Sequence, residues 1–259
     1  MSSVRGIFLG VLAGLALWTA VPAGAEISQE GTLIIAFEGD LTPNILPRRR
    51  PVPVAVRVAG DIKSTARAQL PQLRTISVAI NSAGRLYDRG LPTCNVEAIQ
   101  PATEVQAKAV CGRSIVGSGH VTLQARIEGQ PSFTVKASLL AFNGPRRAGR
   151  KLILAQVYSE DPLGAFVLTF KVSHRDGLFG TVMSTSLPPS ARGWVYLTHF
   201  DMTLKRQYYY RGRVRSYVSA ACAAPAGFPG AVFPFARASY GFDNGQRLSK
   251  TVVRTCRVG

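Results

Sequence analysis

Trp194-Val195-Tyr196-Leu197-Thr198-His199-Phe200-Asp201-Met202-Thr203-Leu204, followed by Lys205-Arg206-Gln207 and then Tyr208-Tyr209-Tyr210-Arg211-Gly212-Arg213-Val214-Arg215-Ser216, carries the plainest structural signal in the chain. Trp194, Tyr196, Thr198, Phe200, Met202 and Leu204 alternate with Val195, Leu197, His199, Asp201, Thr203 and Lys205, the period of a β-strand with one face inward. With Lys205-Arg206-Gln207 as the turn, Leu204 faces Tyr208, Met202 faces Tyr210 and Phe200 faces Gly212. On the other face Asp201 meets Arg211 and His199 meets Arg213. This register predicts an aromatic and methionine face in the core. It also predicts an outer row of Arg211, Arg213 and Arg215, with Lys205 and Arg206 at the tip.

Outward from this hairpin, short β-branched and aromatic runs recur between clusters of Gly, Pro, Asn and Asp. They predict strands near Thr32 to Phe37, Val52 to Val58, Leu73 to Ile80, Val121 to Ile127, Phe133 to Phe142, Leu152 to Tyr158, Phe166 to Val172, Phe179 to Ser186, Trp194 to Leu204, Tyr208 to Ser219, Val232 to Tyr240 and Leu248 to Arg254. The expected fold is all-β, a two-sheet antiparallel sandwich of jelly-roll or immunoglobulin-like kind. One short helix is expected at Ala102 to Val110, opened by Pro101 and closed by Cys111-Gly112, with Val105, Ala109 and the cysteine inward. Residues 26–259 read as one domain. Pro43 to Pro53, with Arg48-Arg49-Arg50 inside it, resembles a linker, and a small N-terminal β subdomain over 26–90 is the alternative.

The 259 residues include 31 Lys and Arg against 14 Asp and Glu; 46% are hydrophobic and 17% charged, a balance that excludes intrinsic disorder. Met1 to Ala25 holds one cation, Arg5, an apolar run from Gly6 to Ala20, and the small residues Ala23-Gly24-Ala25. It reads as a signal peptide cleaved before Glu26, shorter in its apolar run than the ~20 residues of a spanning helix. The expected location is secreted or cell envelope, and the excess of cations belongs to the folded part. Cys94, Cys111, Cys222 and Cys256 form an even set without Cys-x-x-Cys spacing, which suits two disulfides in an oxidising compartment. Three pairings are possible. The local ones, Cys94 with Cys111 and Cys222 with Cys256, are favoured, each contributing roughly 3 to 4 kcal/mol through the unfolded state.

The usual catalytic patterns are missing. Gly117-Ser118-Gly119-His120 lacks the flanks of a nucleophile elbow and reads as a turn into the Val121 strand. No phosphate-binding loop or dinucleotide fingerprint occurs. His120, His174 and His199 are isolated, so no metal site is expected, and no cofactor either. Glu160-Asp161 before Pro162 reads as a turn and not as a glycosidase pair. His199, Arg211, Arg213 and Tyr217 on one sheet face would suit elimination from a uronate polysaccharide, with Arg neutralising the carboxylate and Tyr or His moving the proton.

Charge favours binding over catalysis. Cations also cluster at Arg48 to Arg50 and at Arg146, Arg147, Arg150 and Lys151. A strongly basic body attracts anionic polysaccharide, wall polymer or an anionic lipid surface, and no motif for specific nucleic-acid recognition is present. Lys205, Arg206, Arg211, Arg213 and Arg215 are the candidate polyanion-binding residues. The expected function is that of an exported, non-catalytic β-sandwich protein of the cell surface or extracellular space. A lyase on polyanionic polysaccharide and a carbohydrate-binding or adhesive module are the alternatives.

Gly90-Leu91-Pro92-Thr93-Cys94 with Cys111, Ala141-Phe142-Asn143-Gly144, Phe179-Gly180-Thr181-Val182, and Cys222 with Pro225, Phe233, Ala236-Arg237 and Arg254-Thr255-Cys256 resemble a family of exported bacterial all-β proteins with two cysteine blocks. The resemblance spans most of the chain after residue 25 and supports the local pairing of the cysteines. It implies no activity.

Overall fold

A computed structural model describes residues 25–65, 69–188 and 193–259 of the chain; the expected signal peptide, but for Ala25, lies outside the described residues. The chain runs through β1 (Glu26–Glu30), β2 (Leu33–Thr42), β3 (Ile45–Leu46), β4 (Val52–Pro53), β5 (Ala55–Ser64), β6 (Leu73–Ile80) and β7 (Gly84–Leu86). Two helices follow, α1 (Val96–Ile99) and α2 (Glu104–Cys111), and then β8 (Ile115–Ala125), β9 (Phe133–Arg147), β10 (Arg150–Glu160), β11 (Leu163–His174) and β12 (Thr181–Ser186). The last third holds β13 (Val195–Leu204), β14 (Gln207–Tyr210), β15 (Arg213–Ser216), β16 (Val218–Ala220), β17 (Gly230–Phe242) and β18 (Arg247–Val258).

The protein is all-β, but its strands are not divided between two facing sheets. Backbone hydrogen bonds run unbroken through thirteen strands in the order β1-β2-β5-β13-β8-β9-β10-β11-β12-β6-β17-β18-β3. Every neighbour is antiparallel except β3, which runs parallel to β18. The sheet curls until its edges meet, and side chains close the seam where no ladder does. Glu26 lies 3.5 Å from Lys250, Asp40 lies 3.6 Å from Arg254, and Gln246 Nε2 donates to the Glu30 carbonyl at 3.2 Å. A sheet of this many twisted strands must curl or split, and curling removes most of its exposed edge.

Alternation along the strands sets the inner face. In β2, Leu33, Ile35, Phe37 and Leu41 are buried, and the register sets them against Ser64, Ile62, Gly60 and Val56 of β5. Gly60 is small for a reason: an added Cβ would stand 2.7 Å from the Phe200 ring and 3.0 Å from the Ala36 carbonyl. Gly39 makes the same room for Phe235 across the seam, where a Cβ would stand 2.7 Å from the ring. Gly117 and Gly119, expected in a turn, lie within β8, where a Cβ at Gly117 would come 2.5 Å from the Thr203 carbonyl. They let β8 and β13 approach closely as the sheet bends.

The hairpin expected after Leu204 does not form. Both edges of β13 are taken, one by β5 and the other by β8. A register shift between Leu197 and His199 also breaks the alternation. Val195 and Leu197 therefore border the hollow with Phe200, Met202 and Leu204, whereas Trp194 is 46% exposed; Tyr196 is buried with the core, as expected, with Arg126 5.7 Å from its ring. Asp201 and His199 face Arg57 and Asp61 of β5 in place of Arg211 and Arg213. β14 and β15 pair only with each other, around Arg211 and Gly212 at φ 51° and 72°, the left-handed pair of a two-residue hairpin turn.

Two covers complete the fold. The small sheet β4-β16-β7, with fully buried Tyr217 beside it, closes one end of the curl. Cys222 next to it is bonded to Cys256 of β18. The helices lie on the outside, where Ile99, Ala107 and the Cys94–Cys111 disulfide cover Leu140, Phe142 and Leu154 of β9 and β10. α2 opens with a capping box, Thr103 Oγ1 accepting from Gln106 N at 3.2 Å and Gln106 Oε1 accepting from Thr103 N at 2.9 Å. The expected inward Val105 and Ala109 are exposed. The disulfide turns Cys111 and its i−4 neighbour Ala107 to the sheet.

Candidate ligand cavity

The inner face does not pack solid. It leaves a partly open hollow of about 190 Å³ bounded by β2, β5, β6, β8 to β13, β17 and the capping sheet. The reason lies in residue size. Gly117, Ala141 and Ala155 stand side by side across β8, β9 and β10, and Ala155 is followed across the ladder by Leu168. Of these, Ala141 and Ala155 border the hollow, and their small side chains leave space that larger ones would fill. Phe166, Leu168 and Phe170 of β11 point inward yet keep accessible surface, because they border the hollow.

The lining is hydrocarbon. Among its side chains only Asn81 and Ser219 carry a polar atom. Asn81 is already committed: its Nδ2 donates to the Pro234 carbonyl at 2.8 Å, and its Oδ1 accepts from Ala83 N at 2.9 Å. A buried water needs two to four polar partners, which this space does not offer, whereas dry apolar cavities of similar size take up benzene-sized guests. At the end opposite the cap, Gln72 ties the rim together. Its Nε2 donates to the Val195 carbonyl, its Oε1 accepts from Gly193 N, both at 2.8 Å, and its backbone N donates to Asp243 Oδ1 at 3.0 Å.

A lysine is buried inside the fold near the capped end. Lys151, expected in a basic loop, is 5% exposed. Its Nζ lies 3.9 Å from Asp88 Oδ2 and 4.2 Å from the centre of the Tyr217 ring, without a hydrogen-bond partner among the described residues. Burial pushes its pKa down from 10.5 to about 8, with Asp88 opposing and Arg146 adding to the shift. Burial also raises the Tyr217 phenol far above its ordinary range.

The five predicted polyanion-binding residues do gather, though not in a row. Lys205, Arg211 and Arg213 are exposed on or beside the β14–β15 hairpin. Arg215 stacks 5.5 Å from the Tyr87 ring, and Arg206 donates to the Arg113 carbonyl at 3.3 Å. Among the described residues no carboxylate is within ion-pairing distance of any of the five. The constellation expected of a lyase is dispersed: Tyr217 is fully buried, His199 pairs with Asp61 on the outside of β13, and Arg211 and Arg213 belong to a separate hairpin. Both disulfides are the local pairs, with Cα separations of 5.6 and 5.7 Å. Two disulfides fit an oxidising compartment.

The cavity was invisible in the sequence. Its only trace is the pair of small inward residues Ala141 and Ala155 in strands otherwise rich in large ones. No family model, curated protein or solved structure matches the chain.

Proposed function

We propose that the protein is an exported, non-catalytic binding protein that holds a small apolar molecule, or one hydrocarbon chain, inside its curled sheet. The observation that carries this is a hollow lined almost entirely by aliphatic and aromatic carbon, in which Asn81 and Ser219 are the only polar side chains among the described residues. Burying a guest removes apolar surface on both partners at about 25 cal/mol per Å².

Titration with N-phenyl-1-naphthylamine, a neutral fluorophore that brightens in apolar surroundings, tests the proposal. Saturable enhancement at one equivalent is expected, unchanged as salt is raised from about 50 to 500 mM. Ala155→Phe places a ring in the hollow and weakens binding at least tenfold, about 1.4 kcal/mol, with the circular dichroism spectrum preserved. Equal enhancement by wild type and Ala155→Phe would refute the proposal, as would none at all.

A second reading rests on the β14–β15 hairpin. Tyr209 and Val214 form a cross-strand pair, 73% and 63% exposed, among cations with which no acid among the described residues pairs. That combination suits contact with an anionic lipid or polymer surface, where apolar contact and charge act together. Retention on phosphatidylglycerol vesicles that falls steeply with salt and with Arg211→Ser/Arg213→Ser supports it. Retention indifferent to both contradicts it.

A further inference from the structure

On the outer face of the same curl, two of the chain's three histidines meet. Asp201 and His120 are register partners across β13 and β8, and His199 lies two residues from Asp201 on the same face of β13. One donor atom from each lies within 4.8 Å of the other two, and the imidazole centres are 5.4 Å apart. We propose that His120, His199 and Asp201 bind a borderline divalent cation of the Zn²⁺ or Cu²⁺ class.

Two neighbours already do what a metal site asks of its surroundings. Asp61 lies 3.2 Å from His199 Nδ1; as acceptor of that proton it leaves the Nε2 lone pair for a cation, the carboxylate–histidine arrangement that orients and strengthens metal ligands. Arg57 donates from Nε at 2.9 Å and Nη2 at 2.5 Å to the same Asp201 oxygen, Oδ2, which fixes the carboxylate and leaves Oδ1 open. The cations nearby are themselves held: Arg57 reaches Glu38 at 3.5 Å as well as Asp201, and Lys63 lies 3.8 Å from Asp61. Three of the chain's 14 acids, Glu38, Asp61 and Asp201, thus converge on this patch of a basic protein. His120 is exposed and makes no hydrogen bond among the described residues, so its ring is free to turn toward the other two. Zinc takes imidazole at about 2.0–2.1 Å and carboxylate at about 2.0–2.2 Å, and two histidines with one carboxylate are a donor set that leaves a position for water. Hard, oxygen-seeking cations fit this set poorly.

The test uses untagged protein. Co²⁺ titration followed by its visible absorption, and Cu²⁺ titration followed by electron paramagnetic resonance, are expected to show one equivalent bound, with two imidazole nitrogens on copper. His120→Ala and His199→Ala abolish the stoichiometric signal, Asp61→Asn weakens affinity 10–100-fold, and His174→Ala changes nothing. His120 is an exposed side chain, so His120→Ala decides the matter even where His199→Ala disturbs the strand. Wild-type protein that binds no equivalent overturns the proposal, as does binding that survives His120→Ala or is lost in His174→Ala.

Discussion

Lys151 is a cation held out of water with no hydrogen-bond partner among the described residues. An ammonium group at the capped end of an apolar hollow is held by Asp88 at 3.9 Å and by the face of Tyr217, and neither replaces its water. The unfolded chain keeps this proton up to about pH 10.5, whereas the folded protein releases it near 8. Between those values the unfolded state binds more protons, so this group's contribution to stability rises with pH from about 8 to 10.5, and below 8 its full cost stands. Lys151→Met, which leaves Asp88 paired with Arg146 at 3.1 Å, is therefore expected to be more stable than wild type at pH 7, by up to ~3 kcal/mol. That advantage fades as pH approaches 10.5. Urea unfolding of both proteins across this range checks it, and a variant that is weaker at pH 7, or a difference flat with pH, contradicts it. In the sequence Lys151 follows Arg146, Arg147 and Arg150 and looks like one more solvated cation. Only the register shift between Lys151 and Ile153 against β9 shows how it enters the interior.

The elements differ in what each cover protects. Cys94–Cys111 closes a loop of 17 residues and pins the helices to the outside of β9 and β10. Cys222–Cys256 closes 34 and pins the segment after β16, which caps the hollow, to β18. Loop entropy assigns these bonds ~3 and ~4 kcal/mol. The expected outcomes diverge further in binding. Cys94→Ala/Cys111→Ala lowers the urea midpoint but leaves fluorophore affinity intact, while Cys222→Ala/Cys256→Ala lowers both. Equal effects on affinity would show that the cap does not bound the site. Individual strands were legible because alternation is local: Leu73 to Ile80, Phe133 to Phe142 and Leu152 to Tyr158 fall inside β6, β9 and β10. Pairing was not legible. The Tyr208 to Ser219 run looks continuous, yet Arg211 and Gly212 break it into a hairpin, and nothing near Leu204 signals that β13 has both edges already occupied. His120 and His199 likewise meet only because β8 and β13 are neighbours, a fact of topology that no spacing in the chain encodes.

At the scale of the whole molecule, the same thirteen strands that present charge outward enclose carbon inward. Alternation allows the two faces to differ in this way, and curling turns one of them into an interior. A two-sheet sandwich of the same composition would press its inner faces into a solid core about 10 Å thick. Here the curl leaves a hollow, and the small side chains of Ala141 and Ala155 on its wall do not fill it. The most direct test is methyl NMR of the protein mixed with a neutral, slender hydrocarbon, read as intermolecular nuclear Overhauser effects, which report direct contact. The inward Val58, Leu139 and Val157 methyls are expected to show them at one equivalent, while Leu140 and Leu154, beneath the helices on the outer face, show none. Effects confined to exposed groups such as Val214, or none at the inward methyls, would contradict a guest inside the curl.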